Sequence, residues 1–179
     1  MTNIDTAFGR PHDDEYAPFY AGYVGLVPAG DVRHHLRAQL QETLATLTGV
    51  TDAVANKAYG PGKWTLKEVV GHMSDAERVF AYRLLRIARA DATPLSAFDE
   101  NAWVPASGAG DRSLDNLLLE FVAVRFATSA LLDSLSPDAW VRRGTASGKS
   151  ISVRALAYIA AGHERHHVRI LRERYLGNG

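Results

Sequence analysis

The stretch GHERHH, residues 162–167, holds the side chains best suited to chemistry in this sequence. His163, Glu164 and His167 spell H-E-x-x-H, the helical motif with which zinc proteases hold their metal. Helix positions four residues apart lie about 40° apart on one face, so both imidazoles are expected to point the same way. The extended protease motif adds a glycine and a third histidine, at positions that here hold Ile170 and Glu173.

A protease site is therefore not expected. Glu173 lies on the other side of the helix from His167, and an all-helical pattern offers no strand edge to hold an extended peptide. The sequence predicts a metal site of another kind, with Glu164 as a solvated or supporting residue. A role for Glu164 as general base, next to a metal ligand, is the weaker alternative.

A third ligand is needed, because zinc and similar ions take at least three protein ligands. His72 lies on the apolar face of the predicted helix 66–90, so its imidazole is expected to point inward. Buried histidines each need a polar partner, which one shared ion would supply. The alternative is a set of separate, hydrogen-bonded core histidines. We predict a tripod of His72, His163 and His167, open to water or substrate, with His166 outside it.

Four segments show the apolar periodicity of long helices, each behind a residue that suits a helix N-terminus. The predicted helices span residues 31–48, 66–90, 114–135 and 153–176. They predict an all-α four-helix bundle in a single domain, residues 1–179, with the bundle in 31–176. A long connection, Asp91–Arg112, separates the second and third helices, so a simple up-and-down order is not assured. The segment VRRGTASGKSIS before the fourth helix is expected to be a loop or a short hairpin.

The leader, residues 1–30, contains the aromatic stretch EYAPFYAGYV. Tyr16, Phe19, Tyr20 and Tyr23 are spaced to form one stripe if this stretch is helical. The simpler interpretation is a segment that packs on the bundle. The alternative is a lid or wall over a binding site, in which Tyr20 and Tyr23 would contact substrate.

The composition excludes several classes of function. Twenty basic residues balance twenty acidic ones, so no basic surface for nucleic acid is expected. No apolar run approaches the roughly 20 residues that cross a bilayer, and the N-terminus does not resemble a signal peptide. The chain has no cysteine, which excludes thiolate ligands and a protein thiol nucleophile. The sequence therefore predicts a cytoplasmic protein without membrane or nucleic-acid partners.

The order and spacing of these residues resemble the DinB/YfiT-like metalloprotein superfamily. The matching words are WTLKEVVGHMSDAERVF, residues 64–80, and GHERHHVRIL, residues 162–171. The resemblance implies a four-helix bundle, often homodimeric, that holds a divalent ion such as zinc or nickel. The ligands it implies are His72, His163 and His167. Characterised relatives include transferases and isomerases that use low-molecular-weight thiols, whereas many members have no known reaction.

The resemblance thus implies a metal-dependent transferase that joins a low-molecular-weight thiol cosubstrate to a small electrophilic substrate. A metal lowers the pKa of a thiol, and without cysteine the sulfur must come from outside the chain. Arg78, Arg83 and Arg125 are candidates to bind the thiol's acidic groups, with solvated helix arginines as the alternative. Two other functions remain open: a metal-dependent hydrolase of a small molecule, and a non-enzymatic bundle that binds metal or a small ligand.

Overall fold

The computed structural model describes residues 7–177, and four long helices dominate it. They are α1, Val32–Leu47; α2, Leu66–Ala88; α3, Leu114–Asp133; and α4, Val153–Ile170. Shorter helices span Ala21–Leu26, Asp52–Ala55, Glu100–Ala106 and Pro137–Trp140, and 3-10 turns span Asp13–Glu15, Pro18–Tyr20 and Ala109–Asp111. Within residues 7–177, none of the helices combines the length and apolar character needed to cross a bilayer.

Side chains at the N-termini determine where the long helices begin. Asp31, Ser113 and Ser152 each accept a hydrogen bond from a backbone N–H in the first turn of their helix. Thr65 and Glu68 form a reciprocal capping box at the start of α2, in which each side chain accepts from the other's backbone N–H. The predicted helix starts are confirmed. As an α-helix, α4 is shorter than predicted, because a π-helical turn, Leu171–Tyr175, follows it.

The order of the helices around the bundle is α1, α3, α2, α4. Both α1 and α2 pack against α3, and both also pack against α4. Helices α1 and α2 therefore lie diagonally opposite each other, although they are consecutive in the sequence. This is not the order of a simple up-and-down bundle, in which consecutive helices are neighbours.

An antiparallel hairpin connects α3 to α4, with β1 at Arg143–Ala146 and β2 at Lys149–Ser152. Its two turn residues, Ser147 and Gly148, both have positive φ, as a tight two-residue hairpin turn requires. Leu95 of the long connection donates its N–H to the Thr145 carbonyl and accepts from the Ser147 N–H, both at 2.9 Å. The hairpin thereby holds the long connection in place. Within residues 7–177, the β-structure consists of this hairpin and two isolated bridges.

The described part of the leader, from residue 7 onward, packs on the bundle but not as one helix, and residues 1–6 lie outside the described residues. A 3-10 turn, Pro18–Tyr20, precedes the helix Ala21–Leu26, which packs on α4. The aromatic stripe is consequently divided, since Tyr16 is buried in the core whereas Phe19 is 64% exposed. The leader is anchored by Glu15, which pairs with Arg154 of α4.

One arginine joins all four long helices in the core. Arg125 of α3 pairs with Glu77 of α2 at 2.6 Å and with Glu164 of α4 at 2.9 Å. It also donates to the Leu36 carbonyl of α1 at 2.7 Å. All three charged side chains are buried. Burial opposes the charge of Arg125, but the two carboxylates raise its pKa above the usual value.

Candidate metal centre

Three histidine side chains converge between α2 and α4. The Nε2 atom of His163 lies 3.0 Å from Nε2 of His72 and 3.1 Å from Nε2 of His167. All three residues are buried, and one nitrogen of each lies within 4.8 Å of the others. Zinc–nitrogen bonds of about 2.0–2.1 Å in tetrahedral geometry place ligand nitrogens about 3.3 Å apart. The observed spacing therefore fits three ligands of one ion.

The protonation state of the cluster also fits metal ligands. Burial lowers the pKa of His72 to about 4. Burial likewise lowers the pKa of His163 and His167 well below the usual value, and the neighbouring imidazoles lower it further. All three rings are consequently neutral near pH 7. Neutral imidazole is the form that binds divalent transition metals.

Aromatic rings surround the three imidazoles. The ring of Trp64, just before α2, lies 4.9 Å from that of His72 between centroids. The rings of Tyr23 and Phe80 each meet the His163 ring edge-on at 5.5 Å. These rings limit the directions in which the imidazoles can turn. His166 contacts Tyr23 but is not a member of the cluster.

The three histidines line a pocket of about 360 Å³. Its walls come from distant parts of the chain: Tyr20 and Tyr23 of the leader, Phe98 and Glu100 of the long connection, and Ser147 of the hairpin turn. The long connection thus contributes to the wall of the pocket. The alternative interpretation of the leader, as a wall of a pocket, also describes its position.

Comparison with known proteins gives the family. A family model of the DinB superfamily matches residues 35–171. The chain belongs to the DinB superfamily. Among solved structures, YfiT from Bacillus subtilis, described as a candidate metal-dependent hydrolase with an unusual four-helix bundle topology, superposes with a TM-score of 0.70. The match covers 94% of each chain at 18% identity, so it shows a shared fold.

Two relatives are named as candidate metal-dependent hydrolases. One, from Geobacillus thermodenitrificans, is 28% identical over 146 residues. The other, from Geobacillus kaustophilus, is 27% identical over 144 residues. Both matches cover 78% of this chain and 81% of the relative. The similarity therefore extends over most of this DinB-superfamily bundle.

The three predicted substrate-binding arginines lie in three different environments. Arg83 lines the pocket together with the histidines. Arg78 does not, because it pairs with Asp75 at 3.3 Å and with Glu120 at 2.6 Å on the outer surface. Arg125 does not line the pocket either, because it is buried in the core ion pairs. Of the three, only Arg83 is placed to contact a ligand at the histidines.

Of the two alternatives predicted for Glu164, solvated or supporting, the structure excludes the solvated one. Glu164 is 2% exposed and accepts hydrogen bonds from Gln39, from Arg125 and, at 2.6 Å, from the Thr43 hydroxyl. Its carboxylate is therefore directed at α1 and α3, whereas His163 meets α2. This position gives no support to a role as general base. In this DinB-superfamily chain, the glutamate of H-E-x-x-H instead connects α4 to the core ion pairs.

Gly162 is a residue of the site whose role the sequence analysis missed. A Cβ atom at this position would lie 2.0 Å from the backbone carbonyl oxygen of Tyr23. Only glycine therefore allows the helix Ala21–Leu26 to approach α4 so closely, next to His163. A glycine inside an apolar helical pattern was the available signal, because such a glycine often marks a close backbone contact.

Proposed function

We propose that the chain binds one divalent metal ion through His72, His163 and His167, and uses it in a reaction on a small molecule. The observation that carries this proposal is the convergence of three neutral imidazole nitrogens in the lining of a pocket. Imidazole ligands suit first-row transition metals such as zinc and nickel. When bound, the ion supplies Lewis-acid chemistry, which polarises a substrate oxygen and lowers the pKa of water or a thiol.

Hydrolysis is the first candidate reaction, and the names of the two Geobacillus relatives support it. Hydrolysis needs a group that accepts a proton from water. Glu164 is committed to the core ion pairs, so another group must fill this role. Among residues 7–177, Glu100 is the one carboxylate that lines the pocket, and it is exposed. We therefore propose Glu100 as the proton acceptor.

Transfer to a low-molecular-weight thiol is the second candidate reaction. The pocket has aromatic walls and a volume of about 360 Å³, which suits a small electrophile. The wall also carries a cation, Arg83, which suits a carboxylate of such a thiol. Because the chain has no cysteine, the sulfur must come from a cosubstrate.

A homodimer in the cytoplasm remains our expectation for the assembly and its location.

Metal analysis of the purified protein, followed by two assays, tests the proposal. The first assay measures hydrolysis of a panel of small esters and amides without thiol. The second measures conjugation of a generic aromatic halide to glutathione or cysteine. Metal-dependent turnover in the first assay supports hydrolysis, and thiol-dependent turnover in the second supports transfer. A protein that binds no divalent metal would contradict the proposal, and His72→Ala serves as the negative control in both assays.

A further inference from the structure

Arg83 carries a buried charge for which the described fold provides no counter-ion. The side chain is among the most deeply buried of residues 7–177. Its Nη2 donates to the Ser96 carbonyl at 2.6 Å and to the Ser147 hydroxyl at 3.0 Å, both neutral acceptors. In that part of the chain, no carboxylate oxygen lies within 4.0 Å of its guanidinium nitrogens.

The other buried cations of residues 7–177 are paired with carboxylates. Lys67 pairs with Asp52, and Arg125 pairs with two glutamates. Arg154 pairs with Glu15. A charge removed from water without a counter-ion is costly, and buried charges in proteins are normally paired or bound to a ligand. The exception at Arg83 therefore indicates a position for an anion that is not part of the fold.

The location of Arg83 indicates where this anion would lie. Arg83 and His72 both line the pocket, and they are 11 positions apart on α2. At 1.5 Å per residue, their backbones are separated by about 16 Å along the helix. The cation and the histidine cluster thus belong to one pocket, with their backbones about three turns of α2 apart. The aromatic ring of Phe98, whose centroid lies 5.7 Å from the guanidinium carbon, forms the wall beside the cation.

We infer that Arg83 binds the carboxylate of a small substrate or cosubstrate whose reacting end lies at the histidines. The placement of the reacting end rests on the proposed function, whereas binding of the carboxylate does not require a metal. Glu100 lines the same pocket without pairing with Arg83. Its negative charge disfavours ligands with a second anionic group. The ligand class is therefore a small monocarboxylate with an apolar or aromatic body.

Benzoate and its uncharged analogue benzamide test this inference by calorimetric titration, with metal-loaded and chelator-treated protein. The wild type should bind benzoate at least about tenfold more tightly than benzamide, since charge-assisted hydrogen bonds are the stronger ones. Arg83→Gln should remove this preference. Arg78→Gln is the matched control, because Arg78 lies on the same helix but outside the pocket, and it should keep the preference. A preference that survives in Arg83→Gln would overturn the inference.

Two further outcomes bear on the same site. Inorganic phosphate should bind more weakly than benzoate, and tighter phosphate binding that depends on Arg83 would overturn the assignment to a carboxylate. Arg83→Gln and Arg83→Met should melt close to the wild type, because they remove a charge without a counter-ion. Unfolding of both variants would mean that the fold itself needs the charge, and would overturn the inference. The preference for benzoate over benzamide should persist in chelator-treated protein. The carboxylate site can therefore be tested even if the proposed metal site fails its own test.

Discussion

His72 is the residue that distinguishes a three-histidine site from one built on α4 alone. Its Nε2 lies 3.0 Å from that of His163, so His72→Ala removes one of three proposed ligands. Loss of a group that merely supports a ligand costs about 10–100-fold in metal affinity. We expect the affinity of His72→Ala to fall at least that far, as measured by competition with a chromophoric chelator.

His166→Ala is the matched control for His72→Ala. The His166 ring contacts those of Tyr23 and His167 but lies outside the cluster, so this variant should keep wild-type affinity. Tight stoichiometric metal in His72→Ala would show that the third ligand lies elsewhere.

Arg125 is expected to be the most important charged residue for stability. Arg125→Met would leave Glu77 and Glu164 buried without their shared counter-ion. Breaking a buried pair in this way typically costs about 3–5 kcal/mol in the free energy of unfolding. Urea denaturation of the variant measures this loss.

Arg37→Met provides the comparison, because Arg37 also joins α1 to α3, through Asp133, but both side chains are nearly half exposed. An exposed pair contributes at most about 1 kcal/mol. Equal losses in Arg125→Met and Arg37→Met would refute the central role of the core ion pairs.

At the scale of elements, the helix Ala21–Leu26 depends on the absence of a side chain at Gly162. In Gly162→Ala, the new Cβ would overlap the Tyr23 carbonyl oxygen, so this helix must move away from α4. Overpacking of this kind costs about 1–3 kcal/mol, more than the gain of about 1 kcal/mol from replacing a helical glycine by alanine. We expect a lower melting temperature and faster proteolysis of the leader.

Gly25→Ala is the control for this substitution, because a Cβ at Gly25 meets no atom of residues 7–177 within 4 Å. It should melt at or above the wild-type temperature. A Gly162→Ala variant that behaves like Gly25→Ala would show that the close contact does not constrain the leader.

The anchor of the leader should make stability depend on acidic pH. Burial opposes ionisation of Glu15, but hydrogen bonds from Arg154 and Ser152 outweigh it and lower the pKa of Glu15 from 4.5 to about 2. A pKa lowered by folding stabilises the fold above the unfolded value, here 4.5, and this contribution disappears as the pH falls toward about 2. Glu15→Gln should therefore melt below the wild type at pH 7, with a gap that narrows below pH 4.5.

Asp14→Asn is the control for the anchor, since Asp14 pairs with Arg143 at the exposed surface of the same turn. Its melting temperature should stay near that of the wild type across this range. A gap between the wild type and Glu15→Gln that is constant from neutral to acidic pH would contradict the assignment of the stabilisation to the Glu15 carboxylate.

At the scale of the whole molecule, an ion bound by His72 and the α4 histidines would connect α2 to α4. A ligand that binds only the folded state stabilises it by about 2.7 kcal/mol at 100 times its dissociation constant. Addition of a chelator should consequently lower the melting temperature of the metal-loaded wild type. In His72→Ala the same addition should have a much smaller effect. Equal shifts in both proteins would mean that the stabilising metal does not use His72.

Local signals in the sequence determined the helices and the inward direction of the site histidines. Capping residues such as Thr65 act within one turn of the chain, so they could be recognised without knowledge of the fold. The spacing of His163 and His167 likewise specifies their common face, because helical geometry is the same in every context. The need for a third ligand and the apolar face of the predicted second helix added His72 to the same site, and the structure brings its imidazole to that of His163.

Only the tertiary structure decided the helix order, the walls of the pocket and the partners of the buried charges. Glu164 and Arg83 both look like solvated helix residues in the sequence, yet one pairs with Arg125 and the other has no counter-ion among the described residues. Which charge meets which depends on the packing of segments that are far apart in the chain. Helical periodicity specifies the face on which a residue lies but not the element that covers that face.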